Sequence, residues 1–187
     1  MDGINQKHEP APEKIPTPAP PDPNRLGQLI QQPPAVFLLL VLLVSAIYSN
    51  TFSFSFHFDD ASNIVENPLI KNLRYLLIWP GSRYVGFLSF ALNYHFGHLN
   101  VFGYHLVNLI IHIVNAYLVY AFIRLLLQTP RLRLHPPLAP AAPAIALTAA
   151  LLFAVHPIQT QAVTYIVQRF ASLAALFYLL TVVCYLQ

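Results

Sequence analysis

Acidic side chains are nearly absent from this chain. Of its 187 residues seven are Asp or Glu, and none occurs in the 121 residues after Glu66. Asp2, Glu9, Glu13 and Asp22 lie in the amino-terminal tail, which leaves Asp59, Asp60 and Glu66 as the carboxylates that the body of the chain can use. Charge of either sign is scarce: 9% of residues are charged and 56% hydrophobic, whereas soluble domains carry about 25% charged residues. That balance places the chain among membrane proteins. The ten Lys and Arg are dispersed and the net charge is +3, so no basic patch exists for nucleic acid and none is expected as a partner. A single cysteine, Cys184, sits deep in an apolar run; it excludes an internal disulfide and says nothing about redox compartment. There is no Walker loop, Gly-rich nucleotide fingerprint, serine elbow or zinc-ligand spacing, which excludes a soluble nucleotide site. No 34-residue period is visible either.

What is present is a series of apolar runs with one polar interruption. Residues 1–34 hold nine of the seventeen prolines; missing donors and a fixed φ predict a disordered or polyproline-like cytoplasmic tail. Ala35–Phe52 is long enough, at about 18 residues, to cross ~30 Å of hydrocarbon, and reads as an uncleaved anchor rather than a signal peptide. Residues 53–100 differ: they carry charges, Asn67-Pro68 and Trp79-Pro80-Gly81 breaks, and two short amphipathic pieces. Pro68 suits a first helical turn, with Leu69, Leu73, Leu76 and Leu77 at helical spacing. Residues 83–97 read as an interfacial or re-entrant helix, a short crossing being the alternative. Val101–Leu127 is a second span, Gln128–Pro143 a proline-rich loop, Ala144–Val155 (with Ala139–Ala142) a third span, Ile158–Gln168 amphipathic, and Phe170–Leu186 a fourth. The expected fold is an all-α, polytopic transmembrane helical bundle. The last residues stop within an apolar run, as expected of a piece of a longer protein.

Lys and Arg in short loops set orientation. The tail carries three, and the loop with Arg124, Arg131 and Arg133 carries three with no acid. Placing both inside makes 53–100 an outer loop and puts His156-Pro157 and Gln159–Gln168 on the same outer face.

Three constellations carry candidate chemistry. Asp59-Asp60 at a membrane rim offers a general base, a divalent-cation ligand or both, since neighbours on an irregular loop point apart; the competing reading is a solvated turn in which Asp60-Ala61-Ser62-Asn63 caps a helix. His105, Asn108, His112 and Asn115, spaced 3, 4 and 3, share one face of the second span. They face the bundle or a water-filled cavity, the plainer role being interhelical hydrogen bonds. Two histidines seven residues apart stand about 10.5 Å apart along the axis, too far for one metal ion. Gln161, Thr164, Gln168 and Ser172 form another stripe that runs into the last span beside Arg169. That arginine either snorkels to lipid phosphate as an anchor or grips a phosphate ligand with its planar fork. Arg83 reads as an interface anchor.

In chain order, Phe58-Asp59-Asp60 with Asn67-Pro68, then Ser82-Arg83, Leu88-Ser89-Phe90-Ala91-Leu92-Asn93-Tyr94, Gly103-Tyr104-His105-Leu106-Val107-Asn108 and Leu152-Phe153-Ala154-Val155-His156-Pro157-Ile158-Gln159-Thr160-Gln161-Ala162-Val163 resemble a known family. It is the membrane half of the tetratricopeptide-repeat membrane glycosyltransferases, of the GT-C superfamily and related to protein O-mannosyltransferases. The resemblance covers about residues 35–187, and the Gln-Thr-Gln and Gln-Arg-Phe-Ala wording is similar to its bacterial branch. It implies an integral membrane enzyme, here of a bacterial inner membrane, that moves a sugar from a polyprenyl-phosphate carrier to a protein or glycan acceptor hydroxyl outside the cytoplasm. It implies in-plane helices at 68–78 and 84–97, a base role for Asp59 or Asp60, and lipid-phosphate contacts from Arg83, Arg169 and His156. A divalent cation near Asp59 and Asp60 is compatible with it. Where eukaryotic relatives carry His, Glu and a further acid in and after the His-Pro loop, this chain has Gln159, Gln161 and Ala171. The alternative function is a non-catalytic membrane scaffold whose further repeats bind partners.

Overall fold

The structure is a computed structural model that describes residues 32–78, 81–133 and 138–187. The expected tail up to residue 31 and the Trp79-Pro80 break lie outside the described residues. Among these, all regular structure is helical: α1 Pro33–Ile47, α2 Leu73–Ile78, α3 Tyr84–Gly97, α4 Val101–Leu127, α5 Pro130–Arg133, α6 Leu138–Val155, α7 Gln159–Thr164 and α8 Arg169–Leu186. Two helices are long and apolar enough to cross a membrane, one at Val101–Gln128 and one at Ile166–Leu186; Pro33–Ile47 and Pro140–Val155 are shorter apolar helices.

The central helix is α4, and α6 and α8 pack most extensively against it, with α1 lying across α4 and α6. Side-chain size explains the closeness of α4 and α6. Ala142, Ala146, Ala150 and Ala154 recur every fourth residue of α6 and are all buried, so backbones approach and van der Waals contact holds the pair where lipid offers no hydrophobic drive. Val36, Leu40 and Val44 of α1 fill the same cluster beside Leu109, Ile113 and Tyr120. Replacing Ala150 by Leu would force α6 from α4. We expect it to cost about 1–3 kcal/mol, read as a lower melting temperature in detergent, whereas Leu152→Ala, at a position 64% exposed, should leave melting unchanged.

Polar periodicity in α4 is spent inside the bundle. His105, Asn108, His112 and Asn115 are all buried. The His112 Nε2 donates to the Ala154 carbonyl at 3.1 Å, and Asn115 Nδ2 donates to the Ser172 carbonyl at 3.0 Å, tying α4 to α6 and α8. Such interhelical bonds contribute on average ~0.6 kcal/mol each.

Several expectations change in detail. The first apolar helix ends at Ile47 and continues as a 3-10 turn, Ser49–Ser53. The third begins at Leu138, with Pro143 inside it. The amphipathic piece at 68–78 is two helices. Asn67 accepts the Leu69 N–H at 3.0 Å and opens a 3-10 turn, Pro68–Lys71; Asn72 then accepts the Arg74 N–H at 3.0 Å and starts α2. Most consequential is Tyr165. The stripe expected to run from Gln161 into the last span is broken there, because Tyr165 is extended (φ −85°, ψ 107°) between α7 and a 3-10 turn, Ile166–Gln168.

Candidate active site

The break at Tyr165 frees backbone groups that would otherwise be tied up in a helix, and the loop at 57–60 binds them. The Val167 N–H donates to Asp60 Oδ1 at 2.8 Å. Asp60 Oδ2 accepts the His57 N–H at 3.0 Å, and the Asp60 N–H returns a bond to the His57 carbonyl at 3.0 Å. Asp60 is therefore buried, 1% exposed, with each carboxylate oxygen facing an amide donor. Burial pushes its pKa above the ordinary carboxylate value, against the opposing pull of those two N–H bonds and of His105 and His57. The sign follows from linkage: a carboxyl with a raised pKa favours the fold while protonated, and that contribution is lost as pH rises through the raised value. The Asp60 cap of the competing reading does not form; its side chain accepts from the His57 and Val167 amides instead.

Asp59 has the opposite environment. Its residue is exposed, while its backbone is held on both sides. The Asp59 N–H donates to the Tyr165 hydroxyl at 3.1 Å, and its carbonyl accepts from Ser62 Oγ at 3.2 Å and Asn63 Nδ2 at 2.8 Å. The two adjacent carboxylates thus diverge, one into the protein and one to its surface. Phe58, just before them, has φ 48°, a left-handed conformation that costs a non-glycine residue on the order of 1–3 kcal/mol and concentrates at functional sites. Its ring is 88% exposed.

Arg169 is fully buried. Its Nε donates to Asn108 Oδ1 at 2.7 Å, one terminal nitrogen to Asn93 Oδ1 at 2.7 Å and Ser89 Oγ at 3.2 Å, and the other to the Tyr104 carbonyl at 2.8 Å. Its guanidinium carbon lies 4.5 Å from the centre of the Phe90 ring. Asn108 meanwhile directs its Nδ2 at the Ile166 carbonyl, 3.2 Å away. One arginine so joins α3, α4 and α8 directly above the turn that grips Asp60.

Arg83, by contrast, is exposed. Held at φ 64° where α3 begins, it lies 5.2 Å over the Phe170 ring and lines, with Tyr84, Phe170, Leu173 and Phe177, a mostly apolar groove of about 340 Å³. Gly86 lets the Phe170 ring pack against α3: a Cβ there would overlap it. Gly86→Ala should displace that ring at a cost of about 1–3 kcal/mol, visible as a lower melting temperature. His156 is exposed, and its Nδ1 accepts the Ile158 N–H at 3.2 Å in its own loop.

The structure ties Asp60 and the Asp59 backbone to the 165–167 segment just before Arg169; Arg83 meets that region through the Phe170 ring, and the described bonds of His156 stay local. A second cleft of about 290 Å³ is lined by His57, Phe58, Thr160, Gln161, Thr164 and Tyr165. The sequence marks Phe58 only as part of the Phe58-Asp59-Asp60 motif and does not single out Tyr165, because aromatic residues near a membrane surface are common. Asn93 carried a weak signal, as a lone amide in an apolar helix. A divalent cation fits poorly: Ca²⁺ and Mg²⁺ want several oxygen ligands, Asp60 is committed to amides, and no group of three His, Cys, Asp or Glu is assembled among the described residues.

Comparison with known proteins bears on what this arrangement is. The chain is 34% identical over 164 residues to "Protein O-mannosyl-transferase TMTC3" of Mus musculus, covering 79% of this chain and 16% of that protein. It is 34% identical over 158 residues to "Protein O-mannosyl-transferase TMTC2" of Homo sapiens, 76% of this chain and 17% of the relative. Similarity to "Protein O-mannosyl-transferase Tmtc1" of Drosophila melanogaster is 33% over 159 residues, again 76% and 17%. The chain is a homologue of the TMTC protein O-mannosyl-transferases. It spans about one sixth of the length of these TMTC relatives. No family model matches, and no solved structure does. The TMTC homology agrees with the family resemblance seen in the motifs.

Proposed function

We propose that this chain is part of a GT-C-type membrane glycosyltransferase that transfers a sugar, mannose by analogy with the TMTC proteins, from a polyprenyl-phosphate carrier to an acceptor hydroxyl on the outer face of the membrane. The observation that carries the proposal is the divergence of Asp59 and Asp60. A buried, amide-bound Asp60 fixes a loop whose next carboxylate, Asp59, stands at the water-facing rim where a lipid-linked sugar would meet its acceptor.

In this reading Asp59 accepts the proton of the acceptor hydroxyl as its oxygen attacks the anomeric carbon. The bond from that carbon to the phosphate oxygen breaks, and polyprenyl phosphate leaves with the bonding pair. Arg83, exposed above its apolar groove, supplies a cation for the phosphate with apolar surface for the first part of the tail. Arg169, the other arginine implied by the resemblance, supports the loop from inside. His156 remains a proposed contact for the phosphate, with its Nε2 edge available to it. The bacterial inner membrane and the cytoplasmic amino terminus are part of the proposal, supported by the motif wording and the Lys/Arg distribution.

The test is transfer of radiolabelled mannose from synthetic polyprenyl-phosphate mannose to membrane and secreted proteins by cells expressing the complete gene product, compared with a deletion strain. Incorporation that depends on the gene supports the enzyme. Equal incorporation in both, with repeat-dependent capture of partners, supports the scaffold.

A further inference from the structure

Within residues 157–168 the side chain of Tyr165 alone carries an ionisable proton. The residue is extended between α7 and the 3-10 turn. Its N–H donates to the Gln161 carbonyl at 3.1 Å, and its own carbonyl accepts the Gln168 N–H at 3.1 Å. Its ring faces the loop at 57–60, where the Phe58 ring meets it edge-on with centres 6.2 Å apart. The Tyr165 hydroxyl accepts the Asp59 N–H at 3.1 Å, and two residues further on the Val167 N–H holds Asp60. A tyrosine of an aromatic belt turns its hydroxyl to water or lipid headgroups. This one turns it to a backbone amide 106 residues away.

We infer that Tyr165 is the positioning residue of the candidate base: its hydroxyl accepts the Asp59 N–H and donates its own proton to the Asp59 carboxylate, so one phenol fixes both the chain and the side chain of residue 59. The inference rests on the glycosyltransferase reading above and adds the group that aims its base. A phenol is donor and acceptor at once; once its oxygen has received the amide, its proton is left to give. Burial raises the Tyr165 pKa above the ordinary phenol value and the bond from the Asp59 N–H pulls it down. The Asp59 carboxylate, by its charge and its hydrogen bond, and then the charge of Asp60 push it up again. An aspartate free at a surface visits several χ1 wells, whereas a base works only within about 2.6–3.2 Å of the hydroxyl it deprotonates. Tying one carboxylate oxygen to Tyr165 selects one rotamer and leaves the second oxygen for the incoming proton. The other ionisable neighbours are His57 and Asp60 on the same loop. The His57 ring lies 3.4 Å from Ser55 Oγ, and Asp60 is turned inward onto two amides, so neither takes the place of the phenol.

The experiment uses the complete gene product in native membranes, with synthetic polyprenyl-phosphate mannose as donor and the membrane's own proteins as acceptors. Tyr165→Phe keeps the ring against Phe58 and removes only the hydroxyl; water can replace the acceptor of the Asp59 N–H, because Asp59 is exposed. The variant should lower kcat about ten- to hundredfold, the cost of a misaimed catalytic group, with the donor KM within twofold and the melting temperature unchanged. A second readout needs no turnover. Fluorotyrosine placed at position 165 and followed by fluorine NMR should ionise about half a pH unit lower in Asp59→Asn than beside the native carboxylate, since removing a like charge eases formation of the phenolate. The positioning role is refuted, and the base assignment stands, if Asp59→Asn abolishes transfer while Tyr165→Phe keeps kcat within twofold or the fluorine titration ignores residue 59. A joint fall of kcat and melting temperature in Tyr165→Phe makes the hydroxyl an ordinary structural tie and refutes the role as well. If Asp59→Asn retains transfer but moves the fluorine titration, the base assignment is lost and Tyr165 remains the residue that holds Asp59.

Discussion

Asp59→Asn in the complete gene product should reduce sugar transfer by about 10²–10⁴-fold, the usual contribution of a positioned general base, with melting temperature and membrane level unchanged. The asymmetry of the acidic pair is what makes the result specific. Asp59 is exposed and its structural bonds run through its backbone, so an amide side chain disturbs only proton acceptance. Asp60→Asn should behave differently. Its two oxygens receive the His57 and Val167 amides; an asparagine can accept one of these and must turn an NH₂ toward the other. The buried amide so stranded costs about 1–3 kcal/mol, and transfer falls together with stability. Parallel loss of activity and stability in Asp59→Asn would remove the base assignment.

How far the sequence reached is clearest in these two residues. Hydropathy located the apolar helices, since composition alone decides whether a run can leave water, and the 3-4-3 spacing on α4 foretold four buried polar residues. The helical start at Pro68 was equally local. Which aspartate is buried depends on a bond between residues 107 positions apart, and no local pattern encodes it. The same holds for Tyr165. The α7–α8 segment reads as continuous from its periodicity, yet Asp60 and Asn108 compete for its backbone groups and break the helix where tertiary bonds replace intrahelical ones. Arg169 misled for a related reason: its partners are amides, a hydroxyl and a carbonyl rather than carboxylates, so the shortage of acids after Glu66 gave no hint that a cation could be satisfied inside.

Arg169→Met should be the most destabilising single substitution in the described core. The side chain is fully buried, and its removal leaves Asn108 Oδ1, Asn93 Oδ1, Ser89 Oγ and the Tyr104 carbonyl without their donor. Asn108 and Tyr104 are buried, Ser89 and Asn93 half-buried, and a buried acceptor left bare costs about 1–3 kcal/mol. The four are not additive and regain some partners in a membrane-embedded unfolded state, so a loss on the order of 3–5 kcal/mol is expected, seen as a large fall in melting temperature and rapid degradation. Arg169→Lys should rescue little, because three donors on one nitrogen cannot reproduce the planar fork that spans Asn108, Asn93 and Tyr104. This separates the two roles an arginine can have at the head of a span. A phosphate ligand replaced by lysine keeps its charge and its fold, and the donor KM alone moves. An internal tie replaced by lysine loses the geometry, and stability falls before any kinetic constant can be read. The bond from Asn108 to the Ile166 carbonyl carries that loss onward to the turn that holds Asp60, so Arg169→Lys should also release the loop at 57–60, measurable as faster amide hydrogen exchange at His57 and Asp60 than at the buried amides of α6.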